Sequence, residues 1–271
     1  MDLTIKQKLN IAENAIKENK IENGNIYELG KEIIQEENNK EIIHSFLDLA
    51  HLSNTSTYIS KIQKTDEWLS LLIELIKKSN FHTGFMLRQR CVRYEKKIAF
   101  NIIEKSKIKT ITYSSLWLKI IEVTRSLSIF EKEDEKLVIG LLTNNNLNGV
   151  LIDLACLSFG YRIIPIPLNA TTEHISYVLA HSEITHLFVG GKSGNKHWNK
   201  IKQFHSLKTI SLDHNNQSDF IGWEKFLEMG DATENFNIEA RMSSIDIINT
   251  QSIMYTSGTT DNPKGITFNQ L

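Results

Sequence analysis

The sequence predicts an α/β fold: a largely parallel sheet flanked by helices and preceded by a short helical extension. Three observations predict it. Short apolar runs alternate with helical stretches from about residue 98 to residue 255, the order that βαβ units give. One run, Leu137-Val138-Ile139-Gly140-Leu141-Leu142, contains no polar position, as a strand covered on both faces requires. Residues 1–80 lack that rhythm and carry apolar positions at helical spacing, among them Ile33, Ile34, Phe46, Leu47, Leu49 and Leu52. The chain is therefore divided into a helical extension, 1–80, and an α/β part, 81–271.

Within the extension, Asn23-Gly24-Asn25 and Ser53-Asn54-Thr55-Ser56 read as breaks. Thr65-Asp66-Glu67 reads as a helix start, with acids in the first turn ahead of Trp68–Lys78. Surface helices packed on the main domain explain this region, and a docking element is the second reading. Further on, Ile98–Ile103 and Thr110–Tyr113 read as strands, and Ser114 or Ser115 as the cap of a helix running to about Ile129. Asn144-Asn145-Asn146 caps a helix, Leu147–Phe159, that stops at Gly160. Arg162–Ile166 is a strand whose Pro165 suggests a strand end or a sheet edge. A helix from Thr171 to His181, a strand Thr185–Val189, a helix near Trp198–Phe204, a weaker strand Leu207–Leu212 and a last strand Ser252–Tyr255 follow. Right-handed crossovers between parallel strands place helices on both faces.

Composition fits a cytoplasmic globular protein. The chain has 271 residues, 41% hydrophobic and 23% charged, with a net charge of −1. That balance gives no sign of a nucleic-acid partner, and the lysine-rich stretches are interleaved with Glu, as on solvated helix faces. Two cysteines, Cys91 and Cys156, read as free thiols, with Cys156 in a buried helix. The N-terminus has no apolar run of signal-peptide type. The longest apolar stretches, such as Leu69–Ile76, are too short to span a bilayer.

The chemistry-bearing segment is Tyr255-Thr256-Ser257-Gly258-Thr259-Thr260-Asp261-Asn262-Pro263-Lys264-Gly265. It leaves the end of a strand, where open α/β sheets hold their ligands. Thr256, Ser257, Thr259 and Thr260 supply four hydroxyl donors. Gly258 lets backbone N–H groups form a concave anion nest. Lys264 adds a mobile cation, and Pro263 stiffens the turn before it. A hydroxyl-rich turn alone is commonplace; this complete string behind an apolar strand is not.

The string closely resembles the signature of the adenylate-forming (AMP-binding) superfamily, which includes acyl-CoA synthetases, luciferases and peptide-synthetase adenylation domains. The resemblance covers about residues 85–271. Thr112-Tyr113-Ser114-Ser115-Leu116 is similar to the opening of that domain's first helix, and Gly160–Leu168 to its strand and following turn. Tyr177–Glu183 followed by Leu187-Phe188-Val189-Gly190 is most similar to the long-chain acyl-CoA synthetase branch. The resemblance implies a ligase that uses ATP, Mg²⁺ and coenzyme A. A carboxylate, here a fatty acid, attacks the α-phosphate to give an acyl-adenylate and pyrophosphate, and a thiol then displaces AMP. It also implies that Thr256, Ser257, Gly258, Thr259, Thr260 and Lys264 cradle the β- and γ-phosphates. Peripheral membrane contact is compatible with such an enzyme.

Two departures qualify the resemblance. Asp261 stands where the family usually has glycine. A carboxylate about 4 Å from a phosphate oxygen costs about 1 kcal/mol in water and about 4 at an intermediate dielectric, unless Mg²⁺ offsets it. The chain also ends at Leu271, before the adenine pocket, the Mg²⁺-binding Glu, the ribose-binding Asp, the acyl tunnel and the catalytic Lys of relatives. No catalytic residue and no metal ligand is assigned, the Tyr255 strand is expected to expose an unpaired edge, and the chain alone is expected to be poorly soluble and inactive. The alternative function is a non-catalytic nucleotide-binding remnant, or one half of a split enzyme completed by a second polypeptide. Peptide-synthetase adenylation and aryl-CoA ligation stay open.

Other candidates carry less. Gly191-Lys192-Ser193 resembles the end of a Walker A loop, but His186 stands where the first glycine must be, so it reads as a surface turn. His174, His181 and His186, like His44 and His51 on one expected helix, lack metal-ligand spacing. Trp68, Trp117, Trp198 and Trp223 read as packing residues.

Overall fold

The structure, a computed structural model, describes residues 3–21, 25–104, 107–131, 136–213, 219–231, 233, 236–256 and 262–271. The chain divides into two compact units, with the boundary between Gln89 and Arg90.

The first unit is helical: α1 (Ile5–Lys17), α2 (Ile26–Glu36), α3 (Lys40–Ala50), α4 (Ser53–Lys61), α5 (Thr65–Ser79) and the first part of α6 (Thr83–Arg93). Ile26, Ile33, Ile43, Phe46, Leu47 and Leu75 are fully buried together, with the Phe46 ring edge-on to Trp68 at 5.7 Å. Of the positions read as periodic, Ile33, Phe46, Leu47 and Leu49 form this core, and Ile34 and Leu52 pack against it. The break expected at Ser53–Ser56 is instead the first turn of α4. Its polar residues are weak helix formers, but the helix buries Thr55 and Ile59, and the Thr55 hydroxyl donates to Leu49 O at 2.9 Å. His51 is the residue that caps the C-terminal end of α3. His44 packs between Phe81 and Phe85, and burial pushes its pKa down to about 4.

The second unit opens with an antiparallel hairpin, β1 (Ile98–Glu104) and β2 (Lys107–Thr112). Then come α7 (Tyr113–Ser128), β3 (Val138–Thr143), α8 (Leu147–Phe159), β4 (Arg162–Pro165), α9 (Thr172–His181), β5 (His186–Gly190), α10 (Gly191–Ile201), β6 (Lys208–Ser211), α11 (Trp223–Asp231), α12 (Ile238–Ser243), β7 (Ser252–Thr256) and β8 (Lys264–Phe268). Six strands form one sheet in the order β6-β5-β3-β4-β7-β8, parallel except for the last pair. β5 is buried throughout. Leu187 and Val189 pack with α9 and α10 residues such as Val178 and Trp198, while Phe188 faces the other way, edge-on to Phe226 of α11 at 5.3 Å. Helices therefore cover both faces, as the unbroken apolar runs require.

Local signals explain most boundaries. Asn146 caps α8 by accepting from Gly149 N–H, and Gly160 ends it at φ 77°. The cap of α7 is Thr112, whose hydroxyl accepts from Ser115 N–H; Ser114 and Ser115 are already helical. Pro165 ends β4, which lies inside the sheet between β3 and β7, so it does not mark an edge. Gly191-Lys192-Ser193 is not a surface turn but the first turn of α10. That helix lies so close to β3 that a Cβ on Gly194 would stand 2.4 Å from the Leu142 carbonyl oxygen. Alanine there gains about 1 kcal/mol of helix propensity but must push the helix off the strand, at a cost of about 3 kcal/mol. Gly194→Ala is expected to lower the stability measured by urea unfolding by about 2 kcal/mol; a rise would mean that α10 is free to shift.

Candidate functional site

β7 ends in the segment that the sequence singled out, and β8 begins at its Lys264. The two strands pair from Ser252↔Phe268 to Thr256↔Lys264. Thr256 and Lys264 are thus cross-strand partners, whose Cβ atoms stand about 5 Å apart in such pairs, and both are exposed. The hydroxyl of one and the ammonium of the other frame the two feet of the loop. Ser257, Gly258, Thr259, Thr260 and Asp261 lie outside the described residues. Pro263 is buried, just ahead of Lys264. Among the described residues no carboxylate forms an ion pair with Lys264.

Directly beneath the feet, Tyr255 points inward and is 7% exposed. Its ring lies over its cross-strand partner Gly265, where a Cβ would meet the ring at 3.1 Å. Glycine here makes room for the aromatic ring that covers it. The Tyr255 hydroxyl and His181 Nδ1 are 2.8 Å apart, the two rings meet edge-on, and Tyr177 stacks on the imidazole at 5.2 Å. Burial holds the Tyr255 phenol above its ordinary pKa. One ring therefore braces both the strand that enters the loop and the one that leaves it. Tyr255→Phe keeps the ring and deletes the contact to His181, so unfolding stability is expected to drop by about 1 kcal/mol. Equal urea midpoints for the two proteins would show that the phenol bond does not brace the hairpin.

At the other end of the hairpin, buried Gln251 ties three elements together. Its side-chain N–H groups donate to Cys156 O at 2.9 Å and to Tyr161 O, and its Oε1 accepts from Gln270 Nε2 at 3.0 Å. Gln270 also donates to Leu157 O at 3.0 Å. The hairpin is thereby fixed to the C-terminal end of α8 and the start of β4. The strand expected to expose an unpaired edge, Ser252–Tyr255, is covered by β8; the sheet edge is β8 itself, exposed along its length.

The remaining candidates have structural roles. The start of α10 is already filled by an acid: Asp213 accepts from Gly191 N–H at 3.0 Å and from Asn195 Nδ2 at 2.8 Å. A phosphate would meet that carboxylate. His186 stacks on Phe130 at 4.4 Å. Cys91 and Cys156 are free and buried; burial raises the Cys91 thiol to about 11 and holds Cys156 well above the usual thiol range. Trp68, Trp198 and Trp223 are buried, and Trp117 stacks on Phe159 at 6.0 Å. Among the described residues no group of His, Cys, Asp and Glu side chains converges as a metal site, and no helix is long and apolar enough to cross a membrane.

The residues beneath the two feet of this segment carry no signal in the sequence. Lys264-Gly265-Ile266-Thr267-Phe268 alternates as a strand does, but Gly265 reads as a loop residue until the Tyr255 ring is seen above it. His181, Gln251 and Gln270 act through partners distant in sequence, and no local pattern marks them.

Comparison with known proteins fits this geometry. The profile of the family described as AMP-binding enzyme matches residues 87–270. Long chain acyl-CoA synthetase 4 of Arabidopsis thaliana is 24% identical over 168 residues, which is 57% of this chain and 24% of that protein. The chain thus spans about a quarter of that relative's length. A red-emitting luciferase from Phrixothrix hirtus superposes with a TM-score of 0.57 at 20% identity, over 70% of this chain and 46% of the luciferase. A luciferase-like enzyme from the mealworm Zophobas morio superposes with a TM-score of 0.54 at 22% identity, over 70% of this chain and 43% of that one. At such identities the superpositions establish the fold.

Proposed function

The chain belongs to the AMP-binding enzyme family, and from that premise we propose that it is the phosphate-gripping part of an ATP-dependent acyl-activating ligase acting on fatty acids. In this reading a carboxylate oxygen bonds to the α-phosphorus of ATP, and the bond to the pyrophosphate oxygen breaks. The sulfur of coenzyme A then bonds to the acyl carbon, AMP leaves, and the thiol proton passes to solvent. In this reading residues 81–271 are the N-terminal part of the adenylation domain and residues 1–80 a helical extension, with the boundary between compact units at Gln89/Arg90. The observation that carries the reading is the exposed Thr256–Lys264 pair at the C-terminal end of β7.

The residues present fit a polyphosphate. Lys264 offers a cation and Thr256 a hydroxyl on the two feet, and Ser257, Gly258, Thr259 and Thr260 are proposed to complete the cradle. Mg²⁺, when bound with ATP, neutralises phosphate charge; the chain's own contribution is to hold and orient the β- and γ-phosphates. Asp261 opposes that grip. Asp261→Gly is expected to bind MgATP about tenfold more tightly by calorimetry; unchanged or weaker binding would refute the repulsion.

β8 offers an open sheet edge, and Met254, Ile266 and Phe268 expose apolar surface on the same hairpin. An edge of this kind suits a further strand, so further polypeptide, covalent or separate, is proposed to complete the domain. Two free buried thiols suit a cytoplasmic setting. ATP–pyrophosphate exchange by the full native product, with a panel of fatty, aryl and amino acids, tests the substrate class. Exchange driven by fatty acids supports the reading. Exchange driven by aryl or amino acids overturns the fatty-acid assignment, and none with any acid favours a non-catalytic nucleotide-binding remnant.

A further inference from the structure

We propose that the cleft between α9 and α10 binds a free α-amino acid with an apolar side chain. The cleft has a volume of about 570 Å³, within the range of small-molecule sites. One wall is a stripe of α9 at helical spacing, Glu173, Tyr177 and Ala180. The other is the end of α10 and the turn after it, Lys200, Ile201 and Phe204. Both walls belong to the second unit. Two hydrogen bonds join them: Thr172 Oγ1 and His197 Nδ1 are 3.2 Å apart, and Ser176 Oγ and His205 Nε2 2.8 Å. The cleft is therefore built before any ligand arrives, and these four polar groups already have partners.

Two kinds of surface remain for a ligand. The first is apolar. Phe204 is 70% exposed; a single exposed ring is ordinary, but this one lines a concave site together with Ile201, Ala180 and Tyr177. The second is a pair of opposite charges, Glu173 and Lys200, brought to the cleft by different helices. Among the described residues Lys200 forms no ion pair. The two are still near enough to act on one another. The Glu173 carboxyl lies below its ordinary range, first through hydrogen bonds from its own backbone N–H and the Thr171 hydroxyl, and further through the Lys200 charge. A carboxylate that accepts two such bonds keeps lone pairs for a third donor. An anion and a cation that share a cleft without closing on each other match a zwitterion. The ligand's ammonium meets Glu173, its carboxylate meets Lys200, and its side chain lies on the apolar surface. A simple acid or a simple amine satisfies one of these charges and meets the other as a like charge. The inference rests on this cleft alone and does not need the ligase reading.

The test is calorimetric titration of L-phenylalanine into the 271-residue chain. Saturable binding with a Kd of about 1 mM or tighter is expected for a ligand of this size. Phenethylamine, which lacks the carboxylate, and hydrocinnamate, which lacks the ammonium, are each expected to bind about fivefold more weakly. Lys200→Gln and Glu173→Gln are each expected to lose about fivefold, the scale of one exposed ion pair. Phe204→Ala is expected to lose about tenfold. Lys196→Gln, exposed on α10 outside the cleft, is expected to bind as the parent does. Because Glu173 also bonds the first turn of α9, its variant is read beside its urea midpoint, and the exposed Lys200→Gln decides where that midpoint falls. Amide shifts that centre on residues 172–180 and 200–204 during the titration support the proposal, and shifts centred elsewhere overturn it. It is also overturned if binding does not saturate at about tenfold the expected Kd, or if either single-charge analogue binds as tightly as L-phenylalanine. Unchanged affinity in Lys200→Gln or Phe204→Ala, or an equal loss in Lys196→Gln, overturns it as well.

Discussion

Lys264→Ala is expected to weaken MgATP binding by one to two orders of magnitude while leaving the unfolding midpoint in place. The ammonium is exposed at the foot of the loop, opposite Thr256, so its loss removes no core contact. A charged group that bonds a phosphate oxygen contributes about 1.5–3 kcal/mol, which converts to roughly ten- to hundredfold in affinity. Calorimetric titration of parent and variant measures the difference. An unchanged affinity would mean that the ammonium does not reach the phosphates, and the assignment of the loop would fall with it. A fall in affinity accompanied by a large loss of stability would instead point to a structural lysine.

Gln251→Leu is expected to act in the opposite way, on the fold first. Leucine has a similar size but cannot donate to Cys156 O and Tyr161 O, and it leaves Gln270 Nε2 without one acceptor. Each buried polar group left without a partner costs about 1–3 kcal/mol. Cys156 O keeps other donors in the turn after α8, among them Tyr161 N–H, so the net loss is put at about 3 kcal/mol by urea unfolding. Gln251→Glu places an acceptor-only group against the same two carbonyls and is expected to be worse. A loss well under 1 kcal/mol for the leucine variant would show that the hairpin is held by its strand pairing alone.

The parallel part of the sheet was legible because its chemistry is local. Strands buried on both faces, such as Val138–Thr143 and His186–Gly190, carry hardly any polar positions, and Asn146 and Gly160 mark both ends of the helix that follows the first of them. The rest depended on distant contacts. The Ser53–Ser56 run is polar enough to read as a break, yet burial of Thr55 and Ile59 makes it helical. Gly191 and Gly194 look like loop residues, but α10 needs them to approach Asn144 and the Leu142 backbone. β8 hid behind Gly265, whose role appears only once Tyr255 is seen across from it. For the site, the hydroxyl-rich loop and Lys264 stand out locally, whereas Tyr255 with His181 and Gln251 with Cys156 join residues 70 or more positions apart.

The central claim is that the loop between β7 and β8 is where this chain holds a nucleotide's phosphates. Amide chemical shifts recorded while MgATP is titrated into the isotopically labelled chain test it most directly. The account predicts that the largest changes centre on residues 256–265, with smaller ones at Tyr255 and His181. Changes centred on Gly191–Asn195 at the start of α10, or no changes at saturating nucleotide, would contradict it.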